Sequence, residues 1–240
     1  MENQDGKKRV TTVAVSVLVI LAAIGGYFIF GQKMISNTTE NKAAVVTSVA
    51  TVNGSAIPKT IYDTQLAGVI ASYKSQGVDI AADATKLAQV KTQVLNDLIN
   101  NELLTQGALN AGIKTSAEEV EKQFQTVLTQ SGGAEGLKTA LAQNNLTEAQ
   151  FRENISKQLT IQTYLLANID IKSITVTDAE IAQFYADYSK AQKDNGQAAV
   201  PPLKELSEQI KQQLISDKQQ TLITNFVATL RTKAQIETTP

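Results

Sequence analysis

The apolar and polar positions of the chain change period several times, and each change marks a structural element. The first feature is an uncharged apolar run from Val10 to Phe30. As a helix it would rise about 31 Å at 1.5 Å per residue, close to the ~30 Å hydrocarbon core of a bilayer. Lys7, Lys8 and Arg9 stand directly before it, and Lys33 is the nearest basic residue after it. Basic residues favour the cytoplasmic side, so this asymmetry puts residues 1–9 inside and everything after Gly31 outside. Ala23-Ile24-Gly25 resembles a signal-peptidase site, but Tyr27-Phe28-Ile29-Phe30 carry the apolar run past it, whereas signal peptides stop there. The expectation is an uncleaved transmembrane anchor over residues 10–30. A polar, Asn/Thr-rich spacer over residues 31–48 follows it.

Beyond the spacer, Val49-Ala-Thr-Val52 and Ser55-Ala-Ile57 flank Asn53-Gly54, the dipeptide that supplies two positive φ angles to a type I′ hairpin turn. Pro58 fits the first turn of a helix, because the N–H it lacks would be unpaired there. Ile61, Leu66, Val69, Ile70 and Tyr73 then recur at helical spacing towards Gly77. A second helix is expected from about Ala84 to Ala111, with Gly112 as its stop. Three capping boxes follow: Thr115-Ser-Ala-Glu118, Thr147-Glu-Ala-Gln150 and Thr177-Asp-Ala-Glu180. In each, the Thr hydroxyl would accept a free helical N–H while the Glu or Gln reaches back to the Thr backbone. Each precedes a periodic apolar stretch: Val120/Phe124/Val127/Leu128, Phe151/Ile155/Leu159/Ile161/Leu165 and Ile181/Phe184/Tyr185/Tyr188. Gly132-Gly133-Ala-Glu-Gly136 reads as a flexible turn ahead of a short helix near Leu137 to Gln143. Asp194 to Pro202 reads as a linker. A long helix from Leu203 to about Lys233 leads into Ala234-Gln-Ile-Glu237, which alternates as a short strand does. The pattern is that of a mainly α protein: one transmembrane helix, then a multi-helix domain over residues 49–237 with a small β component at its two ends.

Composition narrows the chemistry sharply. The 240 residues contain no histidine, no cysteine and no tryptophan. A Ser-His-Asp triad, a cysteine nucleophile, a disulfide, a cysteine-linked lipid and His- or Cys-ligated metals are all excluded. With 22 basic and 23 acidic residues there is no electrostatic case for nucleic-acid binding. No catalytic residue, metal site or small-molecule cofactor is expected. Glu118, Glu119 and Glu121 form the densest acidic cluster, but they sit in a helix's first turn, where negative charge favours the helix dipole. Gly132–Gly136 lacks the lysine and the strand context of a phosphate loop, and no serine is followed by lysine three residues on. Asn-x-Ser/Thr triplets begin at Asn37, Asn53, Asn145 and Asn154, the second already explained by its turn.

The ordered set of segments carries a resemblance. Val49-Ala-Thr-Val-Asn-Gly-Ser-Ala-Ile-Pro58, Val94-Leu-Asn-Asp-Leu-Ile-Asn-Asn-Glu-Leu-Leu104 and Ala111-Gly-Ile-Lys-Thr-Ser-Ala-Glu-Glu-Val120 begin it. Asn145-Leu-Thr-Glu-Ala-Gln-Phe-Arg-Glu-Asn-Ile155, Val176-Thr-Asp-Ala-Glu-Ile-Ala-Gln-Phe-Tyr185 and Leu230-Arg-Thr-Lys-Ala-Gln-Ile-Glu237 continue it. Together they resemble the SurA N-terminal-domain family of periplasmic and cell-surface chaperones. The resemblance implies that the strand at Gln235-Ile236-Glu237 pairs back onto the N-terminal hairpin. Members of the family commonly insert a parvulin prolyl-isomerase domain between the last two helices. The short Asp194–Pro202 segment and the absence of histidine imply that this domain, and its activity, are missing here. What carries over is a membrane-anchored, extracytoplasmic holdase whose partners are unfolded or nascent exported proteins. Phe124, Leu128, Phe151, Ile155, Phe184 and Tyr185 would line its client-binding cradle, although the same spacing is that of ordinary core residues. The alternative is a non-catalytic adaptor that binds one dedicated envelope or translocon partner.

Overall fold

The structure is a computed structural model that describes residues 47–143, 146–196 and 200–239. The expected anchor at Val10–Phe30 lies outside the described residues, as does nearly all of the spacer. Among the described residues, no helix is long and apolar enough to cross a membrane. The elements run β1 (Ser48–Val52), β2 (Ser55–Pro58), α1 (Lys59–Ser75), α2 (Ala84–Asn110), α3 (Ala117–Gln130), α4 (Ala134–Gln143), α5 (Glu148–Asn168), α6 (Asp178–Asp194), α7 (Leu203–Lys233) and β3 (Ile236–Thr238). Short 3₁₀ turns at Ile80–Ala82 and Ile171–Ser173 precede α2 and α6. The protein is therefore mainly helical with a small sheet, as the pattern predicts.

Two compact units are present. One holds the described residues up to Tyr164 together with those from Val227 onward; the other is Leu165–Phe226.

In the first unit the sheet order is β2-β1-β3, with both pairings antiparallel. Asn53 and Gly54 both have positive φ, 51° and 82°, as a type I′ turn requires. Asn53 also ties the turn down. Its side-chain nitrogen donates to Gln106 Oε1 at 2.8 Å, and its side-chain oxygen accepts from the backbone N–H of Gln235 at 2.9 Å. Gln106 in turn donates to the carbonyl of Val52 at 2.9 Å. The return of the C-terminal strand onto the hairpin takes the register Val52 to Ile236, Thr51 to Glu237 and Ala50 to Thr238. The alternation of β1 buries Ala50 and Val52, and these pack with Ile57 against Val94, Leu98, Ile99 and Leu103 of α2. Leu230, Ala234 and Ile236 close the same core from the C-terminal end of the chain. Arg231 fixes that end by donating to Asn100 Oδ1 at 2.7 Å and Asn96 Oδ1 at 3.1 Å.

Three sequence expectations shift in detail. Pro58 ends β2 and occupies the N-cap position, so α1 begins one residue later, at Lys59. The first capping box is built by Ser116 and Glu119 rather than Thr115 and Glu118. Thr115 turns instead to α5, where its hydroxyl lies 2.8 Å from that of Thr160 and donates to the Ser156 carbonyl at 3.3 Å. Gly136 belongs to helix α4 and not to the preceding turn. A Cβ there would lie 1.7 Å from the Ser131 carbonyl oxygen, so the tight α3–α4 corner demands glycine.

In the second unit Leu165, Ile169, Ile181, Ile210 and Ile223 are buried. The Thr177–Glu180 capping box opens α6 as expected. Lys218 of α7 joins it, reaching Glu180 at 2.6 Å and the Thr175 carbonyl at 2.7 Å. The interval between α6 and α7 runs from Asn195 to Pro202.

Candidate binding surface

Four of the six residues expected to line a cradle lie together in the first unit. Phe124, Leu137 and Ile155 form the buried centre of a second apolar cluster, where α3, α4 and the first half of α5 meet. Val120, Val127, Leu128, Leu141, Phe151 and Leu159 surround them, each half-buried. Phe124 and Ile155 are 4% and 3% exposed, so in this arrangement they act as core residues. Leu128 and Phe151, like the other four, are only half-buried around that centre. The rings of Phe124 and Phe151 are tilted by 57° with centroids 6.1 Å apart, a favourable edge-type contact. Phe184 and Tyr185 belong to the second unit, both half-buried on α6. The Tyr185 hydroxyl donates to the Pro201 carbonyl at 2.9 Å, which commits that side chain to the α6–α7 connection.

Arg152 lies across the Phe124 ring. Its guanidinium carbon lies 3.6 Å from the centre of the Phe124 ring. Its Nε donates to Glu148 Oε1 at 2.8 Å, and its Nη1 pairs with Glu121 Oε2. These contacts assign most of the acidic cluster a structural role. Glu119 is held below the usual carboxylate range by the Ser116 backbone N–H and hydroxyl, and Glu121 by Gln125 and then Arg152. Glu180 is held down to about 2, chiefly by Lys218 and then by the Thr177 cap. Asp97 on α2 shifts the other way: burial raises it, and the hydrogen bond from Gln93 only partly compensates. No group of three or more acidic side chains converges as a metal site among the described residues. The Asn154 triplet is closed to modification by burial, since Asn154 is 7% exposed.

Several apolar side chains outside the expected set are open to solvent. Leu109 at the end of α2 is 64% exposed and Leu166 on α5 is 52% exposed. Tyr73, Val78 and Tyr188 are also exposed. Leu109 follows Leu98, and Leu166 follows Ile155, by eleven residues or three helical turns, so both are in phase with buried positions of their own helices. Tyr73 and Tyr188 keep the period, so spacing gave no sign of their exposure.

Comparison with known proteins agrees with this architecture. The family model for the SurA-like N-terminal domain matches residues 4–165, ending where the first unit gives way to the second. The chain is 33% identical over 193 residues to the foldase protein PrsA of Clostridium perfringens, covering 74% of this chain and 54% of that protein. PrsA of Clostridium kluyveri is 28% identical over 192 residues, covering 74% of this chain and 55% of the relative. The chaperone SurA of Pseudoalteromonas translucida is 24% identical over 134 residues, covering 55% of this chain and 30% of the relative. The chain thus spans about half the length of the PrsA relatives it matches. No parvulin domain is matched within the 240 residues. On the extent of the family match and the identity to PrsA, the chain belongs to the SurA-like N-terminal domain family.

Proposed function

We propose that this protein is a membrane-anchored, extracytoplasmic holdase that binds unfolded exported proteins through apolar helical surface and does not isomerise prolyl bonds. The observation that carries the reading is the family match over residues 4–165, the stretch that contains the α3–α5 cluster with its half-open Leu128 and Phe151. An apolar edge of this kind, bounded by charged residues, holds extended segments weakly and with little sequence preference. Relatives named as a foldase and as a chaperone support the same reading. Val10–Phe30, preceded by Lys7-Lys8-Arg9, supports the anchor and its orientation. The residues from 49 to 237 then act as the chaperone domain and residues 31–48 as its spacer. Tethering would confine the binding surface to the layer next to the membrane, raising its effective concentration towards emerging chains without any new contact.

Suppression of aggregation tests the proposal. The full chain in micelles, at near-stoichiometric ratio, is expected to slow aggregation of several unrelated unfolded exported proteins. In a proline-peptide assay it is expected to leave the isomerisation rate at the uncatalysed value. Failure to protect any of the clients would remove the holdase reading, and accelerated isomerisation would remove the non-enzymatic one.

A further inference from the structure

We propose that Phe124, Glu121 and Glu148 form a guanidinium cage that Arg152 fills at rest and that an arginine of a bound client segment takes over. The inference rests on the chaperone reading and names the client chemistry that one part of its surface selects. An aromatic face and two carboxylates from different helices, Glu121 on α3 and Glu148 on α5, converge on a single planar cation. That is the donor and acceptor set a guanidinium needs: a ring to stack on and carboxylate oxygens on two sides. A lysine ammonium has no plane to lay on the ring and no fork to span two carboxylates.

The charged members of the cage are open to solvent, whereas the Phe124 ring is 4% exposed with Arg152 lying on its face, so a client guanidinium reaches the ring only by displacing Arg152. The side chains of Arg152, Glu121 and Glu148 are 31%, 47% and 58% exposed. Each carboxylate gives one oxygen to Arg152, and the other oxygen of Glu121 accepts from Gln125. Two carboxylates against one guanidinium leave the cluster at a net charge of −1, which favours a second cation at its open side. Exchange of one guanidinium for another keeps the stacking and the charge balance, and Arg152 is rehydrated as it leaves. Phe151 packs beside Phe124, and Leu128 is likewise half-buried against the same cluster. A matching segment therefore carries an arginine beside aromatic or aliphatic residues.

The test uses the full chain in micelles and two fluorescent apolar peptides that differ only in carrying Arg or Gln at one central position. The wild-type protein is expected to prefer the Arg peptide. Arg152→Ala is expected to tighten binding of the Arg peptide by about tenfold, the worth of one charge-assisted hydrogen bond freed from competition. Binding of the Gln peptide should change less than twofold by the same comparison. Glu121→Gln/Glu148→Gln, which keeps Arg152 and the apolar edge, is expected to equalise the two peptides. Thermal melts of each variant separate loss of fold from loss of selectivity. Equal affinities in the wild type, no gain in Arg152→Ala, or a preference that survives the double Glu→Gln change would each overturn the cage and make Arg152 a structural staple only. Binding of both peptides without preference would leave the chaperone reading standing, and binding of neither would bring down that reading itself.

Discussion

Replacement of Gly136 by alanine is a perturbation whose sign separates local propensity from tertiary constraint. Gly136 lies inside helix α4, where alanine is intrinsically better than glycine by about 1 kcal/mol. Helix propensity alone therefore predicts stabilisation. Against it stands the Ser131 carbonyl oxygen, 1.7 Å from the site of the new Cβ, a distance that has to grow to at least the 3.0 Å that real contacts respect. The obstacle is backbone, so relief requires moving the α3 C-terminus or the start of α4 by more than an ångström. That movement drags Leu137, which is buried against Phe124 and Ile155. Overpacking of this severity costs about 3 kcal/mol, the upper end of its usual range, which leaves a net loss of about 2 kcal/mol after the propensity gain. For a chain of this size that is a fall in Tm of about 4–8 °C. Thermal unfolding followed by circular dichroism measures it, with Gly133→Ala as a comparison. Gly133 has φ of 89° and open space around it, so its replacement costs only backbone strain, on the order of 1 kcal/mol. An unchanged or raised Tm in Gly136→Ala would refute the close approach at the α3–α4 corner.

Two further outcomes follow from single contacts. Asn53→Gly keeps the positive φ of the turn but removes the bonds to Gln106 and to the Gln235 N–H, so chemical denaturation is expected to show a loss of about 1–2 kcal/mol. Asp97 has a raised pKa in the fold, so its folded state favours the protonated form. Its carboxylate therefore costs stability at neutral pH, and that cost fades as pH falls through the raised pKa towards the ordinary carboxylate range. Asp97→Asn, which keeps an acceptor for Gln93, is expected to raise stability at pH 7 and to leave it unchanged at low pH. Denaturation curves across that range check both the sign and the window.

The elements that were legible in the sequence are those fixed by local chemistry. Asn53-Gly54 and the Thr147 and Thr177 boxes each carry their own hydrogen bonds, and the structure keeps their positions. Thr115 and Ser116 were a tie, since each is followed three residues later by a glutamate. The tie is broken from 41 and 45 residues away, where Ser156 and Thr160 engage the Thr115 hydroxyl and leave Ser116 to cap α3. Gly136 looked like part of a turn because its reason for being glycine is the carbonyl of Ser131 and not its own φ. The cradle residues were legible only as apolar positions. Helical spacing could not divide Phe124 and Ile155, which are covered, from Leu128 and Phe151, which are only half-buried. That division depends on which helix packs over which, and on Arg152 lying across the Phe124 ring.

The central claim is that the α3–α5 edge holds many unfolded exported chains, and crosslinking from that edge tests it most directly. A photoreactive residue at position 128 of the full chain, irradiated in cells, is expected to give a broad ladder of adducts with exported proteins that grows when their folding is impaired. The same probe at exposed Thr126 of α3, away from the apolar cluster, is expected to give far less. A single discrete adduct would identify an adaptor with one dedicated partner, and equal labelling from both positions would contradict the account.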